Sequence, residues 1–372
     1  MIGNPLGNPL GNPLGLQLGG TGSSIGDIVT RLAPPPGQFL EADGRQLSKA
    51  MYSKLFAAIG DAYSIADFTA GFSTVTLPAS STWISIAYGG GSTFVAISAA
   101  GLSSISTDNG ATWVAGGSLP AGTWAGLTYG KGLFVAVANG TVAATSPDGV
   151  TWTPRTLSVS QTWKAVAFNG VVFVAVGTGT ATSVSVDGVT WTAGGAVPNA
   201  SWTAITQGNG LFVAVASGSA TAVTSPNGTT WTARTLPAAS PWIAITQGNG
   251  VFIAVASTSV PIAFSFNGFD WFGGGAVATF SASLIIFGGG VFMVFPASGT
   301  GGAFFPTIFQ PVNATLSASL TWTASAFGNG VMVGIGTGTA SATRANVFSN
   351  TNFNAPLVKS SDGRSTTYIK VA

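Results

Sequence analysis

Hydrophobic residues fall in short runs that recur with a period of about 40 residues, from residue 79 to about residue 355. One repeat contains "WKAVAFN", "VVFVAVGT", "TSVSVD" and "WTAGGA", four short segments separated by turn-forming residues. The second segment is a continuous apolar run, which is typical of a strand buried on both faces. The pattern predicts four short β-strands in each repeat. Between strands, Gly-Asn-Gly at 208, 248 and 328 supplies the Asn-Gly pair that suits the positive φ of a tight hairpin.

Tryptophan recurs at both ends of the repeats. One series opens them and continues at Trp322 after a gap, with Phe280 near the missing place, and a second series closes them in steps of 39 or 40 residues. This spacing predicts seven repeats, although "PTIFQPVNATLSAS" has lost the closing motif and leaves six repeats plus an irregular segment open. The opening residues are Trp83, Trp124, Trp163, Trp202 and Trp242, and the closing residues are Trp113, Trp152, Trp191, Trp231 and Trp271.

Four strands in about 40 residues is the size of a propeller blade, and a closed ring of blades has no exposed sheet edge. The coils of a β-solenoid are shorter, and the spacing of a leucine-rich horseshoe is absent. We therefore predict a mainly β fold, with a seven-bladed β-propeller over residues 79–356. The strict period of Trp and Phe predicts that they form the core, and a carbohydrate-stacking platform is the alternative for some of them.

A short motif lies before each closing Trp. It reads "STDNGATW" at 106, "SPDGVTW" at 146, "SVDGVTW" at 185, "SPNGTTW" at 225 and "SFNGFDW" at 265. The first copy fits the Ser-x-Asp-x-Gly-x-Thr-Trp pattern called the Asp-box, and the others resemble a version shortened by one residue. In such a hairpin the Asp accepts backbone N–H bonds, the Gly supplies positive φ and the Trp packs inward.

Asn227 and Asn267 stand where other copies have Asp, and a catalytic or metal-binding carboxylate would not be repeated around a ring and replaced by an amide. We therefore interpret the copies as structural turns. Their predicted turn-forming residues are Asp108, Gly110, Trp113, Asp148, Gly149, Trp152, Asp187, Gly188, Trp191, Asn227, Gly228, Trp231, Asn267, Gly268 and Trp271.

Composition excludes most catalytic chemistry. The chain has no His and no Cys, which removes the commonest general base, the thiolate nucleophile and the usual zinc ligands. Asp-box propellers include sialidases, which use an arginine cluster, a Tyr–Glu pair and an Asp. Residues 79–355 hold no Glu, three Arg and four Asp, three of them in the boxes, so no spare carboxylate pair exists. We expect no enzyme activity, no cofactor and no metal site.

Charge gives little reason to expect a polyanionic partner. The 12 basic residues form no run, the net charge is +2, and charged residues make up 6% of the chain. No apolar run approaches the roughly 18 residues needed to span a bilayer. We expect neither nucleic-acid binding nor membrane insertion. The rare charged residues Lys131, Lys164, Arg155 and Arg234 are predicted to be solvated loop residues, with contact of one or two of them to acidic surface sugars as the alternative.

Residues 1–26 begin with Gly-Asn-Pro-Leu units from Gly3 to Leu14. Because Pro at every fourth position removes a backbone donor and fixes φ, neither a helix nor a central strand fits. We predict an extended arm that docks on another chain or copy, since its leucines would be wet on a lone arm; a disordered tail is the alternative. The docking residues are Leu6, Leu10, Leu14 and Leu16.

Residues 27–78 read as a strand, a Pro-rich turn, a short strand ending at Asp43-Gly44, a helix capped by Ser48, and a last strand "FSTVTLP". Met51, Leu55, Ala58 and Ile59 recur at helical spacing. The segments "GDIV" at 26, "PPPGQFLEADGRQLS" at 34, "YSKLFAAIGDAY" at 52 and "FSTVTLP" at 72 resemble the phage tail collar domain, a small α+β domain. Ala42 and Ser64 depart from its usual Cys and Gly.

Residues 357–372 contain "YIKV", which is similar to the closing strand of collar-type tail proteins. This resemblance implies that the propeller is inserted in the collar domain, between Pro78 and about Pro356, as a closed ring with adjacent ends allows. An unrelated tail is the alternative.

The resemblance implies a structural phage tail fibre or baseplate protein, made in the host cytoplasm and exposed on the virion. Its expected partners are other tail or baseplate proteins through the arm, a host surface glycan or protein through the propeller, and further copies of itself, with a trimer favoured. A purely architectural component and a glycan depolymerase are the two alternatives.

Overall fold

The computed structural model describes residues 28–31, 39–41, 46–48, 64–66, 72–257, 261–276, 280–305, 312–337, 341–346, 348–354 and 366–370. Within these residues the regular secondary structure is entirely β-strand. No helix among them is long and apolar enough to cross a membrane. The chain divides into two compact units: Met1–Asp67 with Phe348–Ala372, and Phe68–Val347.

The first unit contains strands from both ends of the chain, paired antiparallel in two three-stranded sheets. The C-terminal strand predicted at "YIKV" lies between the two strands that flank the predicted Pro-rich turn. The predicted helix after Ser48 and the N-terminal arm lie outside the described residues. One sheet comprises β1 (Ile28–Arg31), β30 (Thr366–Lys370) and β2 (Phe39–Glu41), and the other comprises β3 (Gln46–Ser48), β29 (Phe348–Asn354) and β4 (Ser64–Ala66).

The second unit contains the other strands, three of which, β13, β19 and β26, run on from one repeat into the next. They are β5 (Ser73–Thr76), β6 (Trp83–Gly90), β7 (Thr93–Ser98), β8 (Ser103–Ser106), β9 (Val114–Ala115), β10 (Trp124–Gly130), β11 (Leu133–Ala138), β12 (Gly140–Ser146), β13 (Thr153–Phe168), β14 (Phe173–Gly179), β15 (Ser183–Ser185), β16 (Thr192–Ala193), β17 (Ala200–Gly208), β18 (Leu211–Ser225), β19 (Thr232–Gly248), β20 (Val251–Ala256), β21 (Pro261–Ser265), β22 (Phe272–Ala276), β23 (Ala282–Gly288), β24 (Val291–Pro296), β25 (Gly299–Phe305), β26 (Val312–Gly328), β27 (Val331–Thr337) and β28 (Ser341–Asn346).

Seven hairpins in the described part of this unit share one register, with a shift directly after the opening residue of each first strand. In the sixth hairpin Ala282 pairs with Pro296 as Trp242 pairs with Ala256. Ala282 therefore holds the place that the sequence analysis gave to Phe280, which instead packs half-buried against the core. We number the repeats 1 to 7 by their opening residues, Trp83, Trp124, Trp163, Trp202, Trp242, Ala282 and Trp322.

The hairpin turns have the backbone conformation that Asn-Gly predicts. At 209–210, 249–250 and 329–330, Asn has φ between 48° and 50° and Gly has φ between 74° and 77°. Positive φ at both central residues matches the twist of the flanking strands, and Asn and Gly tolerate it best. The prediction for these three turns is confirmed.

The core of the second unit lies between consecutive repeats. The first strands contact one another in cyclic order, from β6 through β10, β13, β17, β19, β23 and β26 back to β6. Buried residues of neighbouring repeats form shared clusters; one joins Trp83 and Phe94 of repeat 1 with Val333 of repeat 7. The opening tryptophans are buried, and each donates its indole N–H to a backbone carbonyl. This satisfies the one polar atom that burial of a Trp side chain would otherwise leave unpaired.

Repeat 7 takes its outer strand from the other end of the unit. β5 pairs antiparallel with β28, with Ser73 opposite Arg344 and Thr76 opposite Ser341. Residues 153–156 and 232–235 hold the same position beside β12 and β18. The strand in "FSTVTLP", which the sequence analysis placed at the end of the collar segment, pairs with the last repeat. Leu77, which follows, is 1% exposed and lies in the core with Trp83.

Candidate functional site

Five turns before the closing tryptophans, called boxes 1 to 5 after their repeats, share one set of hydrogen bonds. In box 2 the Asp148 carboxylate Oδ1 accepts from the backbone N–H of Val150 at 2.8 Å and of Thr151 at 2.9 Å. The Ser146 hydroxyl donates to the same oxygen and accepts from the Gly149 N–H at 2.7 Å. The Trp152 indole then donates to the Gly149 carbonyl at 3.1 Å. The turn satisfies its own backbone donors, as an Asx turn does.

The other boxes repeat this geometry with Asp or Asn. Asp187 in box 3 accepts from two backbone N–H groups at 2.8 Å, and Asn227 in box 4 accepts from two at 3.0 Å. Asn267 in box 5 does the same at 2.8 and 2.9 Å. In the longer box 1, Asp108 also accepts from the Thr112 hydroxyl at 2.6 Å. An amide oxygen accepts the same hydrogen bonds as a carboxylate oxygen, so these bonds do not require a negative charge.

Hydrogen bonds hold the box carboxyls in the ionised form. For Asp148 and Asp187 the backbone N–H bonds lower the pKa below its usual value. For Asp108, partial burial acts to raise the pKa, but the bonds from Thr112, Ser106 and Ala111 outweigh it and lower the pKa to about 2. A carboxyl that is ionised well below neutral pH cannot donate a proton as a general acid at neutral pH.

Each box glycine also packs against the preceding repeat. A Cβ at Gly149 would lie 2.5 Å from Cγ2 of Val95, and one at Gly228 would lie 2.5 Å from Cγ2 of Val174. The Ser103 hydroxyl donates to the Gly149 carbonyl at 2.9 Å, which joins repeats 1 and 2. Positive φ and close approach both require glycine at these positions.

Box 5 differs from the others in its exposed side chains. Phe266, Phe269 and Phe272 are 54%, 42% and 50% exposed. They follow the box Ser, Gly and Trp, where box 3 has Val186, Val189 and Thr192. Sequence reasoning missed this group, because a regular aromatic period predicts core.

Two further contacts surround the aromatic side chains of box 5. The buried Phe264 ring lies 5.7 Å from the Phe266 ring and 5.6 Å from the Phe272 ring, centroid to centroid. The Arg234 guanidinium of repeat 4 lies 4.3 Å from the centroid of Phe269, a cation–π distance. Arg234 Nε also donates to the Thr224 hydroxyl at 3.1 Å. The guanidinium is therefore positioned at a half-exposed aromatic ring.

The described residues contain no group of three or more His, Cys, Asp or Glu side chains that could hold a metal ion. Asp270, the one ring aspartate that is not a box acceptor, accepts from Asn267 Nδ2 at 2.8 Å. The four predicted docking leucines of the arm lie outside the described residues.

Comparison with known families identifies one segment. Residues 26–83 match the model of the Phage Tail Collar Domain. No curated protein matches the chain in sequence. The collar match indicates a structural component of a phage tail.

Solved structures similar to this chain share its fold at low sequence identity. Virginiamycin B lyase from Staphylococcus aureus has a TM-score of 0.65 and 11% identity, over 73% of this chain and 98% of that chain. YCF48 bound to D1 peptide has a TM-score of 0.62 and 12% identity, over 76% of this chain and 97% of that chain. The WD40 β-propeller domain of Doa1 has a TM-score of 0.55 and 13% identity, over 76% of this chain and 96% of that chain. At such identities the likeness concerns the fold alone: the chain has a β-propeller fold, and its residues 26–83 match the phage tail collar domain.

Proposed function

We propose that this protein is a structural phage tail fibre or baseplate component that binds the host surface through its propeller. The observation that carries the proposal is the match of residues 26–83 to the phage tail collar domain. A rigid ring of strands with turns that vary in sequence is a good platform for recognition, because binding residues occur mostly on loops held by a stable scaffold. The protein acts on the virion, exposed to the medium.

We propose that the propeller has seven blades and is inserted in the collar domain. Seven equivalent hairpins and the cyclic contacts of their first strands support the blade number. The first and last described strands of the second unit, β5 and β28, pair with each other, so they lie about one strand spacing apart. Strands from both ends of the chain pair in the first unit. Insertion of one domain in another requires such adjacent ends.

The N-terminal arm docks on other tail or baseplate proteins through Leu6, Leu10, Leu14 and Leu16, and the protein forms a homo-oligomer, with a trimer favoured. The support is in the sequence: four leucines in a Pro-rich segment cannot form a core of their own. Several copies side by side on a virion supply the apolar surface that they need.

The boxes serve the fold and the protein has no enzymatic activity. Their carboxylates accept bonds from their own turns, and two are replaced by amides with the same geometry. The Staphylococcus lyase becomes catalytically inactive when one histidine is replaced by alanine, and this chain has no His. A depolymerase would release new reducing ends from host polysaccharide, and we expect none.

Competition for adsorption tests the proposed function. Purified full-length protein is added to susceptible bacteria before the phage that carries it, and free phage is counted. Receptor binding predicts saturable labelling of the cells and slower phage adsorption. If the cells are not labelled and phage adsorption is unchanged, the protein does not bind the receptor and is a purely architectural tail component.

A further inference from the structure

Two arginines hold equivalent places on the outer strands of repeats 2 and 4. Arg155 and Arg234 each follow the closing Trp of their repeat by three residues. The Arg155 Nε donates to the Thr145 hydroxyl at 3.0 Å, and the Arg234 Nε donates to the Thr224 hydroxyl at 3.1 Å. Both arginine side chains are half-buried. One hydrogen bond therefore ties each guanidinium to its own sheet.

Repeats 1 and 3 leave no room for a side chain at this place. Their equivalent residues are Gly116 and Gly194. A Cβ at Gly116 would lie 2.8 Å from the carbonyl oxygen of Gly149 in box 2, and one at Gly194 would lie 2.8 Å from that of Gly228 in box 4. The next box therefore packs closely on the outer strand of repeats 1 and 3, whereas repeats 2 and 4 accommodate an Arg side chain at the same place.

Neither Arg155 nor Arg234 forms an ion pair within the described part of the chain. The aspartates of the boxes that follow them, Asp187 and Asp270, accept hydrogen bonds from their own turns. A charged side chain that is partly removed from water is usually paired, because an unpaired charge loses hydration without compensation. Two half-buried guanidinium groups without a carboxylate partner therefore indicate a place for an external anion.

The Nη groups are the donors that such an anion would use. Among the described residues each arginine donates a hydrogen bond through Nε alone, which leaves its Nη N–H groups for a ligand. The ring of Phe269 supports the Arg234 guanidinium from one face, and Val189 holds the place of Phe269 in box 3. A planar guanidinium in a fixed position presents paired N–H donors to two oxygens of a carboxylate or phosphate.

We propose that Arg155 and Arg234 each bind an anionic group, a carboxylate or a phosphate, of a bacterial surface polysaccharide. The inference rests on the proposed receptor-binding function and deepens it, because it names the chemistry of the receptor and the side chains that bind it. Arg234 contributes more of the affinity than Arg155, since the ring of Phe269 already holds its guanidinium in place.

An array of surface polysaccharides tests the two arginines. The labelled full chain is applied to polysaccharides that carry carboxylates, that carry phosphates and that carry no charge. We expect wild type to bind acidic polysaccharides, and the double variant Arg155→Gln with Arg234→Gln to lose about tenfold or more in affinity with its melting temperature unchanged. Binding to only one of the acidic classes identifies carboxylate or phosphate as the ligand.

Two further double variants distinguish these sites from a general effect of net charge. Lys131→Gln with Lys164→Gln removes the same charge from exposed positions and should keep the affinity. Arg155→Lys with Arg234→Lys keeps the charge but loses the planar pair of donors, and should weaken binding. A loss for the lysine pair as large as for Arg155→Gln with Arg234→Gln would show unspecific attraction and overturn the sites.

The outcomes separate the sites from the function. Equal binding of acidic polysaccharides by wild type and the Gln variant of both arginines would overturn the sites and leave receptor binding intact. Binding of wild type to host cells, with no acidic polysaccharide bound on the array, would overturn the anionic ligand and leave another receptor. Wild type that binds neither cells nor polysaccharide would overturn both the sites and the proposed function.

Discussion

Boxes 3 and 5 have the same backbone and different surfaces. In both, a side-chain oxygen of Asp187 or Asn267 accepts two N–H bonds, and the indole of the closing Trp donates to the Gly carbonyl at 3.2 Å. Box 3 exposes Val186 where box 5 exposes Phe266. The comparison separates residues that hold the turn from residues that the turn only presents to solvent.

This separation shows which positions of a repeat can vary while the turn is kept. The Ser, the Asp or Asn, the Gly and the Trp are shared by all five boxes because they close the turn and pack on the neighbouring repeat. The remaining positions hold Pro, Val, Thr or Phe in different boxes, since their side chains are not part of the hydrogen-bonded turn. Changes at the first group should reduce stability, and changes at the second should not.

The largest expected effect tests the ring that holds both boxes. Leu77 is 1% exposed beside Trp83, and Leu77→Ala removes buried methyl groups and leaves a cavity, which should lower the free energy of unfolding by about 3 to 4 kcal/mol. Chemical denaturation of the full chain measures it. Val114→Ala, at a position 63% exposed, is the control and should change it by less than about 0.5 kcal/mol. Equal losses of stability for Leu77→Ala and Val114→Ala would show that the Leu77 side chain does not contribute to the core of the ring.

The next effect distinguishes the two box glycines. Both have positive φ, 77° at Gly188 and 80° at Gly268, which costs an Ala about 1 to 2 kcal/mol. A Cβ at Gly188 would lie 2.9 Å from Val135 Cγ2, but at Gly268 the nearest atom is 3.3 Å away. Gly188→Ala should therefore destabilise by about 3 kcal/mol and Gly268→Ala by less, as overpacking adds to the first. The reverse order in denaturation would show that packing does not limit box 3.

A smaller effect distinguishes the role of Asp187 as a hydrogen-bond acceptor from the role of its negative charge. Asp187→Ala leaves two backbone N–H groups without their acceptor and should cost about 1 kcal/mol. Asp187→Asn keeps the acceptor, as Asn267 does in box 5, and should cost under about 0.5 kcal/mol. Thermal unfolding of both variants measures the difference. A loss as large for Asn as for Ala would mean that box 3 needs a negative charge.

The smallest effect is the acid sensitivity of box 1. The pKa of Asp108 is about 2 against an ordinary value of 3.8, so its contribution to stability is complete above pH 4 and is lost as the pH falls towards 2. Unfolding midpoints from pH 5 to pH 2 should fall less steeply for Asp108→Asn than for wild type. Parallel curves would show that the carboxylate does not couple to folding.

Much of the ring could be predicted because its signals are local. Trp83 and Trp124 each begin a strand, whereas the other opening Trp residues lie inside strands that start earlier, and each Asn-Gly makes a tight turn. The pairing of the strand before Leu77 could not be predicted, because its partner β28 lies more than 260 residues away in sequence. One signal was available: Leu77 precedes Trp83 by six residues, as Leu157 precedes Trp163 and Leu236 precedes Trp242.

The candidate site could not be predicted in the same way. Phe264 and Phe266 are two residues apart, yet the first is buried and the second is half exposed because β21 ends at Ser265. The contact of Arg234 with Phe269 joins two repeats, and no pattern within one repeat indicates it. The sequence pattern predicts the turns, whereas the surface that they present depends on packing between repeats.

Binding of the labelled full chain to intact susceptible bacteria, before and after periodate oxidation of their surface sugars, tests the central claim most directly. The account predicts saturable binding that periodate abolishes. Absence of binding by the folded protein, or binding that periodate leaves unchanged, would contradict recognition of a surface saccharide.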